Sequence, residues 1–406
     1  MSKSVRAKLT EISMAMLAFY PILDYYYFVD NLLTYANIAG LILFITSLFY
    51  IPNKQRLPKT YIIYWIYSAF NIYFIAGIGG WSDYLPGGVN LIIFTLTMYA
   101  LAQNFSFPKL YKYLKWIFLF ASVLFLIQFS VFYLTGYKMA FFLPLGNSLS
   151  YVGFTYSELI NLHHEVNGEL IERFSSIFTE PSHFAQFSLI LLTIELFDEE
   201  HATKLYTKLS IFICLILLLL QSGAGLLGML FLYIVKILYI IVVVRQYKYF
   251  FLIILIVPII AFGISRYLDS TQGAYVAGRL EQMSNTDETE TSSTFVRLYY
   301  GWYAFGYLDT FHKLFGISRS YLANLREGGG FFNGITQILC LQGIIGLLLL
   351  SLFYLYCCKK KPFVFYAIFL LFVQISLIGG TYLTSIMMLC TTILYGSTIK
   401  KLIYEK

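Results

Sequence analysis

Ile344-Ile-Gly-Leu-Leu-Leu-Leu-Ser-Leu-Phe-Tyr-Leu-Tyr356-Cys-Cys-Lys359-Lys-Lys361-Pro-Phe363-Val-Phe-Tyr-Ala-Ile-Phe-Leu-Leu-Phe-Val373 decides the fold. Two apolar runs flank three lysines. Each belongs to a stretch near the roughly 20 residues that a helix needs to cross a bilayer. Backbone groups in lipid must pair internally, so helices are the economical solution. The same alternation recurs from one end of the chain to the other. Hydrophobic residues make up 59% and charged residues 12%, against roughly 25% charged in an average soluble domain. The first apolar run lacks a small-residue cleavage site and is followed directly by another, so no cleavable signal peptide is expected. The expectation is an all-α polytopic membrane protein in which residues 1–406 form a single integral membrane domain.

Twelve spans are predicted, at about 10–28, 33–51, 60–78, 88–103, 114–135, 184–197, 208–221, 223–243, 249–265, 332–356, 363–379 and 381–399. One set of connections is basic: Lys54 to Arg56, Lys109 to Lys115, Lys204 to Lys208, Arg245 to Lys248, Lys359 to Lys361, and Lys400-Lys401. Short basic loops stay in the cytoplasm, which puts both termini there. The opposite side carries two large loops, 136–183 and 266–331, and loops this long are usually functional or disordered. Ser284 to Thr294 reads as disordered, and Arg297 to Phe315 as a helix lying on the outer surface.

The two cations divide unevenly. Of 19 Lys, this placement leaves only Lys138 and Lys313 outside, whereas six of nine Arg lie there: Arg173, Arg266, Arg279, Arg297, Arg319 and Arg326. The positive-inside tendency acts on both residue types. Arg differs in its planar fork, which matches phosphate or carboxylate oxygens in bidentate fashion. The competing reading pairs these Arg with external acids such as Glu165, Glu172 and Glu281. The net charge of +7 resides mostly in the basic loops and implies anionic lipid as a partner, not nucleic acid. Cys214, Cys340 and Cys390 lie in apolar runs, and Cys357-Cys358 has no second pair or His cluster, so neither zinc nor a structural disulfide is expected. His163-His164-Glu165 places adjacent side chains in different directions, which argues against a metal site.

Arg173-Phe-Ser-Ser-Ile-Phe-Thr-Glu180-Pro-Ser-His183 sits where the first large loop meets an apolar helix. It resembles the Arg-bearing loop-to-helix signature of bacterial O-antigen polymerases and their ligase relatives. Three further elements follow in the order of that family: Gln221-Ser-Gly-Ala-Gly-Leu-Leu-Gly228; Arg297 with Phe315-Gly-Ile-Ser-Arg319; and Asn333 with Leu341-Gln-Gly-Ile-Ile-Gly346. Phe332-Asn333 stands where ligases often carry His-Asn.

The resemblance implies a GT-C-like membrane fold with periplasmic loops in the bacterial inner membrane. It also implies a metal- and cofactor-independent, inverting glycosyltransferase. Donor and acceptor would be undecaprenyl-diphosphate-linked oligosaccharides, with a chain-length regulator as a further partner. Arg173 and Arg297, then Arg279 and Arg319, are the implied diphosphate ligands, since fixed cations stabilise charge developing on a leaving group. Glu180 and His183 are the implied candidates for removing the acceptor proton. Glu180-Pro-Ser-His also suits a plain helix start, and His183 a structural polar contact. Glu11 and Asp24, costly in lipid, are expected to face the bundle interior. Tyr clusters such as Tyr25-Tyr-Tyr27 suit interface anchoring, while Trp81, Tyr299, Tyr300 and Trp302 also suit stacking on sugar rings. Two alternatives stay open: a flippase or transporter of the lipid-linked unit, and the ligase.

Overall fold

The structure, a computed structural model, describes residues 3–29, 33–50, 56–72, 81–137, 139, 141, 164–166, 169–171, 174–247, 299–318, 321–322, 332–359 and 361–404. The protein is mostly helical. In chain order the helices are α1 (Lys3–Leu23), α2 (Tyr35–Tyr50), α3 (Lys59–Phe70), α4 (Trp81–Gln103), α5 (Phe107–Thr135), α6 (Pro181–Phe197), α7 (Lys208–Leu219), α8 (Gly223–Val242), α9 (Gly301–Tyr307), α10 (Thr310–Phe315), α11 (Gly334–Cys358), α12 (Phe363–Ile378) and α13 (Ser385–Tyr404). Two short antiparallel hairpins accompany them, β1 (Tyr27–Val29) with β2 (Leu33–Thr34) and β3 (His164–Val166) with β4 (Glu169–Ile171). Helices stand at eleven of the twelve expected spans, and the ninth, 249–265, lies outside the described residues. Among the described residues, α5, α8 and α11 are long and apolar enough to cross a membrane. Shorter apolar helices include α2, α7 and α12.

Helix α6 is the axis of the packing. Every residue from Phe184 to Phe197 is buried, because α5, α7, α8 and α12 enclose it. An all-round apolar helix belongs in such a position. Helix α8 reaches α6 through small residues. A Cβ on Gly225 would lie 2.8 Å from that of Ala185, and one on Gly228 would collide with Leu189 Cδ1. Close helix approach in membranes depends on such positions. On the other flank, α1 packs on α5, α2 and α13, α2 on α4, and α3 on α11.

Cations gather at one end of this bundle. Lys109 pairs with Glu11, which also accepts from the Tyr113 hydroxyl at 2.6 Å. Lys361 Nζ donates to the Ser397 carbonyl at 2.5 Å, and Tyr395 Oη donates to the Arg56 carbonyl at 3.3 Å. Glu195 accepts from Tyr111 and, at 2.7 Å, from Thr207. Lys236, fully buried, donates to the carbonyls of Leu196, His201 (3.2 Å) and Ala202 (2.8 Å). Its charge therefore sits at the C-terminus of α6, where the helix dipole favours a cation. Glu11 thus belongs to this basic end and is part-exposed, contrary to the interior position expected for it.

Helix α11 is broken. Gly343 adopts φ 66° and ψ −175° within it. The chain after α10 enters the gap, where Ile317 N–H donates to the Cys340 carbonyl at 2.7 Å. The Leu314 carbonyl lies so near that any Cβ at position 343 would strike it. Irregular backbone is tolerated at membrane depth only where protein or water covers it, and α10 supplies that cover. The single surface helix expected over 297–315 is instead two helices, α9 and α10, both packed on α11. Asp309 causes the division: its carboxylate accepts from the His312 N–H at 3.0 Å and starts a new helix. Hydrogen bonding to His312 holds that carboxyl below the usual range. The stretch from Ser284 to Thr294 lies outside the described residues.

Candidate functional site

The segment leading into α6 is anchored before the helix begins. Phe174, Ile177 and Phe178 are buried, and Phe178 stacks on Phe184 with ring centroids 5.1 Å apart. Ser176, at φ 58°, donates its hydroxyl to the Ala121 carbonyl at 2.6 Å and its N–H to Gln128 Oε1 at 2.9 Å. Both partners belong to α5, so this turn is tied to a neighbouring helix.

Glu180 is extended (φ −135°, ψ 150°) at the cap position, and Pro181 opens the first turn of α6. The expected helix start is therefore present. The Glu180 carboxylate makes no capping bond to α6. Instead Oε2 accepts the Ser182 hydroxyl at 2.8 Å. His183 lies one turn in, half-buried, with Nδ1 3.0 Å from Thr179 Oγ1. Its ring stacks on Tyr25 at 4.7 Å between centroids and 23° between planes. Tyr25 therefore packs against a candidate site residue in addition to any role at an interface.

Tyr25 leads back to Asp24. One Asp24 oxygen accepts the Thr34 hydroxyl at 3.1 Å, and the other accepts the Ser385 N–H at 3.1 Å, at the start of α13. A carboxylate is favourable against the first turn of a helix. The turn between α12 and α13, residues 379–384, makes the remaining links. Gly379 O accepts the Gly334 N–H at 2.8 Å, at the start of α11. A Cβ on Gly379 would sit 3.2 Å from the Gln186 amide of α6. Tyr382 Oη accepts from Gln342 Nε2 at 2.5 Å, one residue before the break in α11. Asn333 caps α11, its Oδ1 taking the Thr336 N–H at 2.9 Å. Helices α6, α11 and α13 thus begin, and α1 and α12 finish, around one turn. The Lys-rich contacts involve the opposite ends of these helices.

Three helix N-termini at one end carry partial positive charge toward it, and two of them already have polar side-chain partners in Asn333 and Asp24. The third, α6, has none from its cap residue. Backbone N–H groups at such an end receive anions well. Glu180 and His183 stand at that same start.

Arg173, Arg279, Arg297 and Arg319 lie outside the described residues. Phe174, next to Arg173 in the chain, belongs to the turn tied to α5, and Ser318, next to Arg319, follows the segment docked in the α11 break. His164 and Glu165 belong to β3, and His163 is not described. Among the described residues no three His, Cys, Asp or Glu form a metal-binding group. Tyr299 and Trp302 are exposed, whereas Tyr300 meets Phe332 edge-on at 5.8 Å.

Sequence reasoning overlooked Gln186 and Tyr382, and read Asp24 only as an interior group. The signal available was a short link, Gly379-Gly-Thr-Tyr-Leu-Thr-Ser385, between two apolar runs with Gln and Asp opposite it. Comparisons of the chain with known protein families, with curated proteins and with solved structures find no match.

Proposed function

We propose that the protein is a polysaccharide polymerase, transferring a polyprenyl-diphosphate-linked glycan to the terminal sugar of another lipid-linked repeat unit. The observation that carries this reading is the meeting of three helix N-termini beside Glu180 and His183. An anion and a proton-bearing nucleophile have complementary partners there. In the reaction the acceptor hydroxyl oxygen bonds to the anomeric carbon as the carbon–oxygen bond to diphosphate breaks. The hydroxyl proton passes to Glu180 or His183, and the departing diphosphate takes the bonding pair. Arg173 and Arg297, with Arg279 and Arg319, offset the charge developing on it. Such fixed donors need not reorganise during the step. No metal enters this scheme. The positive-inside rule assigns the Lys-rich end to the cytoplasm, so the proposed site faces the periplasm of the inner membrane.

A second reading, a flippase for the same lipid-linked unit, draws on the break in α11, since discontinuous helices commonly form transporter binding sites. An electrophoretic ladder of surface polysaccharide from a strain lacking this gene separates the readings. Core bearing one repeat unit and no ladder supports the polymerase. Bare core with single units retained on the cytoplasmic side supports the flippase, and bare core with long glycan still on its carrier supports a ligase. In complementation, Arg173→Ala and Arg297→Ala should abolish the ladder while the protein inserts at normal levels. A wild-type ladder from both variants would sink the Arg clamp.

A further inference from the structure

A groove of about 660 Å³ runs between α11 and α12 at the Lys-rich end, far along both helices from the α6 start. Leu352 and Leu355 line it from α11, and Phe363, Tyr366 and Leu370 from α12, with Lys359 at its end. Leu352 and Leu355 are both more than half exposed, so the groove opens on the outer flank of the bundle. From Lys359 to Leu352 the helical rise is about 10 Å, roughly two thirds of a leaflet about 15 Å deep. The dimensions suit the upper part of one acyl chain.

Among the described residues two lysines, Lys359 and Lys361, flank the groove, and they differ. The Lys361 ammonium is engaged with the Ser397 carbonyl at 2.5 Å, whereas Lys359 is exposed. An apolar slot alone confers no preference in a membrane, because bulk lipid tails are equally apolar. Selectivity must therefore come from the head group. A lysine at the mouth of an apolar slot between helices fits an anionic one.

We propose that this groove is a binding site for an anionic glycerophospholipid. One acyl chain lies between α11 and α12, and the head-group phosphate meets Lys359. This inference is independent of the catalytic reading. The full-length protein, purified in mild detergent, would be given equimolar phosphatidylglycerol and phosphatidylcholine, and retained lipid would be read by native mass spectrometry. Phosphatidylglycerol should be preferred, and Lys359→Gln should lower its occupancy by about fivefold, the worth of one cation near a membrane surface. Lys361→Gln should change it little. Leu355→Trp, which fills the slot and keeps the charge, should also remove the lipid. Equal retention of both lipids by the native protein would overturn the proposal. So would loss in Lys359→Gln with full retention in Leu355→Trp, which would mean diffuse attraction to the lysines and no slot.

Discussion

His183 is held on two sides, by Thr179 at Nδ1 and by the face of Tyr25. Packing and chemistry can therefore be separated. Under the proposed reaction His183→Phe keeps the stack and removes the polar ring, so normal protein levels with a shortened ladder would mark His183 as part of the chemistry. A full-length ladder would reduce it to a packing residue. Glu180→Gln retains the shape of the N-cap and the acceptor for Ser182, yet removes a base. It should lower chain extension by about 100-fold or more if Glu180 takes the proton, measured as polymer formed by isolated membranes from lipid-linked repeat units. Asp24 tests architecture instead. Asp24→Ala leaves the Ser385 N–H and the Thr34 hydroxyl without their acceptor. The expected loss is about 1–3 kcal/mol, visible as a lower midpoint of thermal unfolding in detergent. Legibility at this scale was uneven. Glu180 and His183 stood out as candidates because charged groups beside Pro181 are unusual at the edge of an apolar run. Tyr382 and Gln186 could not, because their significance depends on partners far away in the chain.

Among the elements, periodicity and length revealed most helices, because an apolar run bounded by lysines has few other conformations in lipid. The break in α11 was hidden for the same reason: Leu341-Gln-Gly-Ile-Ile-Gly346 reads as continuous when only hydrophobicity is considered. What disrupts it is tertiary. The chain after α10 donates the Ile317 N–H to the Cys340 carbonyl, and Gly343 alone permits both the positive φ and the contact with Leu314. Gly343→Ala should therefore expel the α9–α10 elbow. Faster proteolytic cleavage between Tyr307 and Ser318 would report it, and an unchanged cleavage pattern would contradict the docking. The aromatic density between Arg297 and Phe315 suggested one surface helix, and the Asp309 cap divides it. Local capping won over amphipathic pattern there.

At the scale of the whole molecule, the described polar contacts divide along the bundle: Lys109, Lys236 and Lys361 make theirs at one end, together with Glu11 and Glu195, and Asp24, Glu180 and His183 make theirs at the other. The sidedness can be tested without any assay of function. Among the native cysteines four are buried and Cys214 is half-buried, so they offer a quiet background for labelling. A cysteine replacing exposed Tyr137, at the end of α5, should react with a membrane-impermeant thiol reagent added outside intact spheroplasts. One replacing exposed Tyr247, after α8, should react only after the membrane is opened. The reverse pattern would invert the assigned orientation and move the proposed site to the cytoplasm.

The enclosed position of α6 also has a consequence for synthesis. Its neighbour α12 begins 166 residues after α6 ends (363 minus 197). At about 5–20 residues per second, translation of that interval takes roughly 8–33 s. Throughout it, Gln186 and Phe197 lack part of the environment that later surrounds them. The half-made chain is therefore the form most open to membrane quality control, and a stop codon before Phe363 should be more damaging than the length it removes suggests.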